Sequence, residues 1–375
     1  MRIILDPQIY NLQRYGGISR YYTEVFTLLA KDKNVTIITP LNNSTNIYFN
    51  NSVLNSFKQN IYGIIIKYFK KIKLYQRLKI QYIANLNFEK RLISAKYDLF
   101  IPTYYDVNFL KYIGAKPFVL TVYDMIHELF PEYFTNSEVL VKNKLLLMEK
   151  ATRIIAVSEN TKKDILKLYP HINESKIDVI YHGSSIKIKN NIENILPDKY
   201  ILFVGNRSIY KNFLFFINSI SNLLKNEENL FLVCAGGGNF TNAENEYISR
   251  LGLKNKILFK SFVDDELGYF YKHAECFVFP SQYEGFGIPV LESMICGCPV
   301  VLGNHSSFPE VAGDAGVYFE LNNSDDLVEK INTLIKNKSV REYFSKKGIE
   351  QAKKFSWEKA ALECITVYNI ACKTN

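Results

Sequence analysis

The sequence predicts an α/β protein of two parallel-sheet domains facing a cleft. Three observations carry that expectation. At 375 residues the chain is long enough for two domains of roughly 100–200 residues each. Short apolar runs alternate with longer segments of helical period, the rhythm of β-α units whose strands are covered on both faces. That rhythm breaks once, in the polar stretch Lys187–Asp198, and then restarts.

Each element follows from its residues. Arg2–Asp6 reads as a strand, and a loop with Gly16-Gly17 leads into a helix from Ile18 to Lys31. Strands are expected at Asn34–Ile38, Asp98–Ile101, Phe118–Tyr123, Arg153–Val157 and Lys176–Tyr181. Helices are expected at Glu138–Lys150 and at Glu159–Leu168, the latter with Ser158 as its cap. Past the break come strands Tyr200–Val204, Leu230–Ala235, Ile257–Phe259 and Cys276–Phe279. Helices from Asn212, over Asp264–His273 and over Pro289–Met294 separate them. The domains are thus 1–190 and 191–357, with ligands expected at the carboxyl ends of the strands.

Composition narrows the class. With 47% hydrophobic residues the chain is not disordered. The apolar run Ile61–Ile66 falls far short of a membrane span. Asp6 ends the run Ile3-Ile4-Leu5 too early for a signal-peptide core, so a cytoplasmic protein is expected. Cys234, Cys276, Cys296, Cys298, Cys364 and Cys372 read as buried free thiols, without the second pair a zinc knuckle needs. Between Lys33 and Phe88 there is no acidic residue, against eight basic ones, and residues 58–79 interleave lysines with Ile, Tyr and Phe. Such a segment suits either an anionic membrane surface, making the protein peripheral on the inner face, or a solvated helix face. No nucleic-acid motif accompanies it, and no nucleic-acid partner is expected.

Four loops carry the candidate chemistry. Gly16 and Gly17 open a helix, which suits either an ordinary turn or close approach of a phosphate or sugar hydroxyl. Arg207 and Lys211 follow a strand, and a forked and a point-like cation there can clamp a diphosphate. Glu284 lies in a Gly-flanked loop, and Glu292 lies one turn into the next helix; both can accept from sugar or ribose hydroxyls, or Glu292 can compensate the helix dipole. Asp124 and His127 end a buried strand, with His127 read as a proton shuttle or as a hydrogen-bonded structural residue. There is no GxGxxG fingerprint for a dinucleotide.

The segment Phe262–Ser281 with Glu284-Gly285-Phe286-Gly287-Ile288-Pro289 and Leu291-Glu292 resembles the retaining GT-B glycosyltransferases of family four. Their two glutamates separated by seven residues are matched by Glu284 and Glu292. Gly16-Gly17, Val204-Gly205 with Arg207 and Lys211, Ala156-Val157-Ser158, Ser307–Gly316 and Phe355-Ser356-Trp357 match as well, so the resemblance covers essentially the whole chain. It implies two Rossmann-like domains, with a final helix at about 358–375 packing back on the first. It also implies a nucleoside-diphosphate-sugar donor, a glycan or lipid-linked glycan acceptor, no cofactor and no essential metal. Arg207 and Lys211 would neutralise the diphosphate. Glu284, with the N–H groups of Phe286, Gly287 and Ile288, would hold the transferred sugar, and Glu292 the ribose. Gly16, Gly17 and Val263 would complete the donor contacts. Many relatives carry His-Asp where this chain has Tyr123-Asp124. Either Tyr123, Asp124 or His127 therefore supplies the catalytic contact of the amino-terminal domain, or the His of the relatives is dispensable. The Tyr15–Tyr21 opening resembles that of bacterial surface-polysaccharide mannosyl- and rhamnosyl-type transferases, so GDP-mannose is the expected donor ahead of a UDP-linked one. A front-face retaining path is expected, because no carboxylate is clearly placed as a nucleophile. A sugar-nucleotide epimerase, a nicotinamide oxidoreductase and a non-catalytic glycan-binding module are the rivals.

Overall fold

The computed structural model describes residues 1–39, 44–55, 88–189, 196–262 and 266–374. Two compact units divide it. The first comprises Met1–Val157, Thr161–His182 and Trp357–Asn375; the second comprises Ser158–Asn160 and Gly183–Ser356. The break falls at His182–Gly183, ahead of the polar stretch. Gly183–Lys189 goes with the second unit because Lys187 runs against helix Leu267–His273, where a Cβ on Gly268 would lie 2.1 Å from the Lys187 carbonyl oxygen.

In the first unit the described strands are β1 (Arg2–Leu5), β2 (Thr36–Ile38), β3 (Leu99–Ile101), β4 (Val119–Val122), β5 (Arg153–Ala156) and β6 (Ile177–Val179). They form two parallel three-stranded sheets, β2-β1-β3 and β4-β5-β6, which meet through a single bridge between Phe100 and Phe118. Helix Gly17–Leu29 turns Ser19, Tyr22, Thr23 and Phe26 inward, three and four residues apart as a helix face requires. On the same helix Tyr21 meets helix Trp357–Lys373, its hydroxyl 3.5 Å from Cys364 Sγ and its ring 6.1 Å from that of Trp357.

The second unit holds β7 (Tyr200–Val204), β8 (Phe231–Ala235), β9 (Ile257–Lys260), β10 (Cys276–Phe279), β11 (Val300–Gly303) and β12 (Gly316–Phe319). They form one parallel sheet in the order β12-β11-β10-β7-β8-β9. Phe203, Phe213, Phe216, Leu232 and Val278 lie at the centre of its core. The strand order reverses between β7 and β10, and at such a switch point the loops diverge and leave a ligand crevice at the carboxyl ends. Strands β11 and β12 and helices Ser324–Lys336 and Lys338–Ala352 continue the β-α rhythm beyond the elements expected from the sequence. Among the described residues no helix is long and apolar enough to cross a membrane. The basic segment 58–79 lies outside the described residues.

Candidate active site

The second unit brings Arg207, Lys211 and Glu284 to the β7/β10 switch point. Gly205, at φ +112°, turns the chain after β7, and a 3-10 turn at Ile209–Lys211 precedes helix Phe213–Ser219. Lys211 is largely buried and pairs with Glu284, their side chains being only 11% and 15% exposed. Its ammonium also lies 4.8 Å from the Phe279 ring centroid. Burial alone lowers the Lys211 pKa, but the Glu284 carboxylate and the Tyr210 hydroxyl outweigh it, so the net shift is upward. The loop carrying Glu284 is tied to the one after β11. The Glu284 N–H donates to Ser306 Oγ at 3.1 Å, and the Ser306 and Ser307 hydroxyls donate to the Glu284 carbonyl at 2.6 and 2.9 Å. Ser307 Oγ also donates to the Phe286 carbonyl at 3.0 Å. Gly287, at φ +93°, then starts helix Ile288–Ile295, with Pro289 in its first turn. No hydrogen bond within the described residues starts from the N–H of Gly287 or Ile288. Glu292 is buried one turn in.

Arg207 takes different partners from Lys211. Its Nε donates to Glu244 Oε1 at 2.7 Å, Nη1 to the Gly236 carbonyl at 3.2 Å, and Nη2 to the Gly238 and Asn239 carbonyls, both at 2.9 Å. The guanidinium lies 4.8 Å from the Phe240 ring centroid, so Arg207 pins the turn after β8. That turn has three successive left-handed glycines, Gly236, Gly237 and Gly238, at φ +79°, +73° and +78°. A Cβ on Gly237 would meet the Gly205 carbonyl at 2.5 Å and Asn206 Cα at 2.9 Å, so glycine is required there for space as well as for φ. Glu244 reaches back to the Thr241 N–H in a capping box. Burial pushes its pKa up, but Arg207 and Thr241 pull it down further, for a net lowering.

In the first unit Gly17 starts a helix at the end of the 13–16 turn, and Gly16 is extended. Gln13 Oε1 accepts the Ser19 N–H at 3.2 Å and so occupies part of that helix start. Asp124 Oδ1 accepts the Ile126 N–H at 3.1 Å. The Tyr123 ring is buried against Tyr21 and Tyr22, and its N–H donates to the Tyr105 hydroxyl. His127 lies with its ring 4.2 Å from Phe134, and its Nδ1 is buried without a hydrogen-bond partner among the described residues. Burial lowers the His127 pKa and Lys144 lowers it further; Asp124 and Glu128 act in the opposite sense but do not overcome them. Val263 lies outside the described residues. Glu244, Ser306, Gln13 and Lys144 escaped the sequence reading. Only Thr241-x-x-Glu244, a capping-box spacing, offered a signal for any of them.

A parallel α/β unit with a cation and a carboxylate paired at its switch point suits a ligand carrying both phosphate and hydroxyl groups. Comparison with known proteins fixes the family. Residues 15–186 match the family model described as Glycosyltransferase Family 4, and residues 184–351 match the one described as Glycosyl transferases group 1. The chain belongs to these glycosyltransferases and is a nucleotide-sugar hexosyltransferase of GT-B fold. It is 29% identical over 283 residues to O-antigen chain mannosyltransferase B of Escherichia coli, covering 71% of this chain and 74% of that one. It is 31% identical over 206 residues to the O-antigen chain mannosyltransferase RfbU of Salmonella typhimurium, covering 54% and 56%. A Campylobacter jejuni N-acetylgalactosaminyltransferase, named for a diphospho-undecaprenol-linked substrate, is 28% identical over 242 residues, covering 62% and 65%. Among solved structures, a Thermosynechococcus elongatus sucrose-phosphate synthase superposes with a TM-score of 0.72 at 15% identity, over 100% of this chain and 99% of that one. Anabaena HepE, in complex with UDP and glucose, gives 0.66 at 17% identity, over 100% and 98%.

Proposed function

We propose that the protein transfers a mannosyl group from GDP-mannose to a lipid-linked or polysaccharide glycan with retention of anomeric configuration. The observation that carries this reading is the Lys211–Glu284 pair at the switch point. The two groups neutralise each other, and a sugar nucleotide offers each a new partner. Phosphate oxygens suit the ammonium, and sugar hydroxyls suit the carboxylate. Gly287 and Ile288 add backbone donors beside Glu284, Glu292 is assigned to the ribose, and Arg207 shapes the glycine turn beside the diphosphate. Gly16 and Gly17 are assigned to the donor phosphates, and Asp124 and His127 to the reacting sugar. The bond from C1 to the β-phosphate oxygen breaks and the acceptor hydroxyl oxygen bonds to C1 on the same face. The hydroxyl proton passes to the departing phosphate. The two O-antigen mannosyltransferase relatives support mannose, and the Campylobacter relative supports a lipid-linked acceptor.

The test is a melting panel with GDP, UDP, dTDP, ADP and NAD, followed by anomeric NMR of the product from GDP-mannose. A ligand at ~100 times its dissociation constant adds about 2.7 kcal/mol to the folded state. Stabilisation by GDP and an α-linked product are expected. Stabilisation by UDP alone would move the donor class. A β-linked product would reject retention, and a converted sugar nucleotide without transfer would indicate an epimerase.

A further inference from the structure

Behind the Asp124–His127 turn sits an ion pair that the donor chemistry above does not use. Lys144, on helix Glu138–Lys150, is wholly buried, and Glu128 is 4% exposed. The Lys144 ammonium donates to Glu128 Oε2 at 2.9 Å and to the Asp124 backbone carbonyl at 3.1 Å, and it lies 5.2 Å from the Tyr105 ring centroid. One side chain therefore grips both ends of the segment that carries Asp124 and His127. Neighbouring contacts extend the grip. Tyr105 Oη accepts the Tyr123 N–H at 3.3 Å, and Asn143 Nδ2 donates to the Tyr105 carbonyl at 3.2 Å. A buried ion pair is a costly way to fill space, because apolar residues of similar volume are often as stable or more so. The second oxygen of Glu128, Oε1, is buried without a hydrogen-bond partner among the described residues, so the pair is not a fully satisfied stabilising network among them either. What it does supply is direction. The ammonium fixes the carbonyl of Asp124, and with it the path of the chain to His127.

We propose that Lys144, with Glu128, is a positioning residue for glycosyl transfer, holding the Asp124–His127 turn at the end of β4 in the orientation the reaction uses. The proposal rests on the assignment of that turn to the reacting sugar. It concerns the rate of transfer and not donor binding, since the ammonium's contacts named above run to Asp124, Glu128 and Tyr105 within the first unit.

The test replaces both charges together, Lys144→Met with Glu128→Leu, so that neither is left buried alone. Release of GDP from GDP-mannose, the affinities for GDP and UDP, the unfolding midpoint and the His127 ring carbon resonance are compared with wild type. The expected result is at least a tenfold fall in kcat with nucleotide affinity and midpoint held, and a shifted, broadened His127 resonance. A kcat within twofold of wild type and an unmoved resonance would overturn the proposal. So would a midpoint that collapses together with kcat, which would make the pair a folding element. Asp124→Ala and His127→Ala are run alongside. If both keep wild-type turnover, the assignment of the turn itself fails. If they are slow while the double variant is fast, only the role of Lys144 fails. Should wild type release no GDP from GDP-mannose, the donor assignment is rejected, and the His127 resonance still decides whether Lys144 holds the turn.

Discussion

Replacing Glu284 with Gln (E284Q) should tighten nucleoside-diphosphate binding while nearly stopping transfer. In the native protein Lys211 is committed to the Glu284 carboxylate, and both side chains are largely shielded from water, at 11% and 15% exposure. A phosphate that takes Lys211 must first displace that carboxylate. A hydrogen bond to a charged group contributes about 1.5–3 kcal/mol net. Because some solvent reaches the pair, the lower half of that range applies, about 1.5–2 kcal/mol. At 1.4 kcal/mol per decade this is roughly a ten- to thirtyfold lower dissociation constant for GDP or UDP in the variant. Transfer should move the other way, because Gln cannot offer a charged acceptor as positive charge develops on the sugar. Loss of one such contact typically costs about 2.7–4 kcal/mol, or 10²–10³ in kcat. Isothermal titration of both proteins with GDP and UDP, beside steady-state release of GDP from GDP-mannose, measures the two effects. Equal or weaker nucleotide affinity in the variant would show that Glu284 does not compete for Lys211. Turnover above half the native value would remove Glu284 from the reaction.

Three further outcomes follow from other parts of the molecule. Gly237→Ala should destabilise the second unit by about 2–3 kcal/mol, from left-handed strain and contact with the Gly205 carbonyl, whereas Gly238→Ala, with open space at its Cβ, should cost about 1 kcal/mol. Denaturant melts that rank the two in reverse would refute the packing argument. Burial holds His182 down to about 3 from an ordinary 6.5. Because its folded pKa is depressed, the stability it contributes is full above pH 6.5 and declines as the pH falls towards about 3. Its limit is roughly 5 kcal/mol at 1.36 kcal/mol per unit. Melting from pH 7.5 down to 4 should therefore be steeper for native protein than for His182→Gln, and identical slopes would reject the linkage. Changing Lys67, Lys70, Lys71 and Lys73 to Gln together should reduce sedimentation with vesicles of 30 mol% anionic lipid by tenfold or more, at about 1 kcal/mol per basic residue near the surface. Unchanged sedimentation would remove the membrane role of residues 58–79.

The sheets were legible in the sequence because parallel strands are buried on both faces and read as unbroken apolar runs. Tyr200–Val204 and Cys276–Phe279 appear with the bounds expected for them. Helix Ile288–Ile295 was marked in advance by Pro289. What pattern could not show was pairing. Nothing in Asp98–Ile101 or Phe118–Tyr123 says that β3 and β4 meet through one bridge and leave two three-stranded sheets. The site divided along the same line. Glu284, Lys211 and Arg207 were visible because they are charged residues in loops that follow buried strands. Their partners were not, because Glu244, Ser306 and Lys144 lie 37, 22 and 20 residues from Arg207, Glu284 and Asp124, and only folding brings them together. Arg207 shows the limit well. Its position after β7 suggested a ligand-facing cation, yet its donors close the turn after β8.

The division of the chain also sets an order of assembly during synthesis. The second unit lies almost wholly in one continuous stretch, Gly183–Ser356. The first unit must wait for Trp357–Lys373, whose Cys364 and Tyr368 cover Tyr21 and Phe26. At about 5–20 residues per second, a nascent chain spends on the order of ten to forty seconds between finishing His182 and supplying that helix. Through that interval Tyr21 and Phe26 lack the cover that Cys364 and Tyr368 later supply. The first unit is thus begun before the second and completed after it.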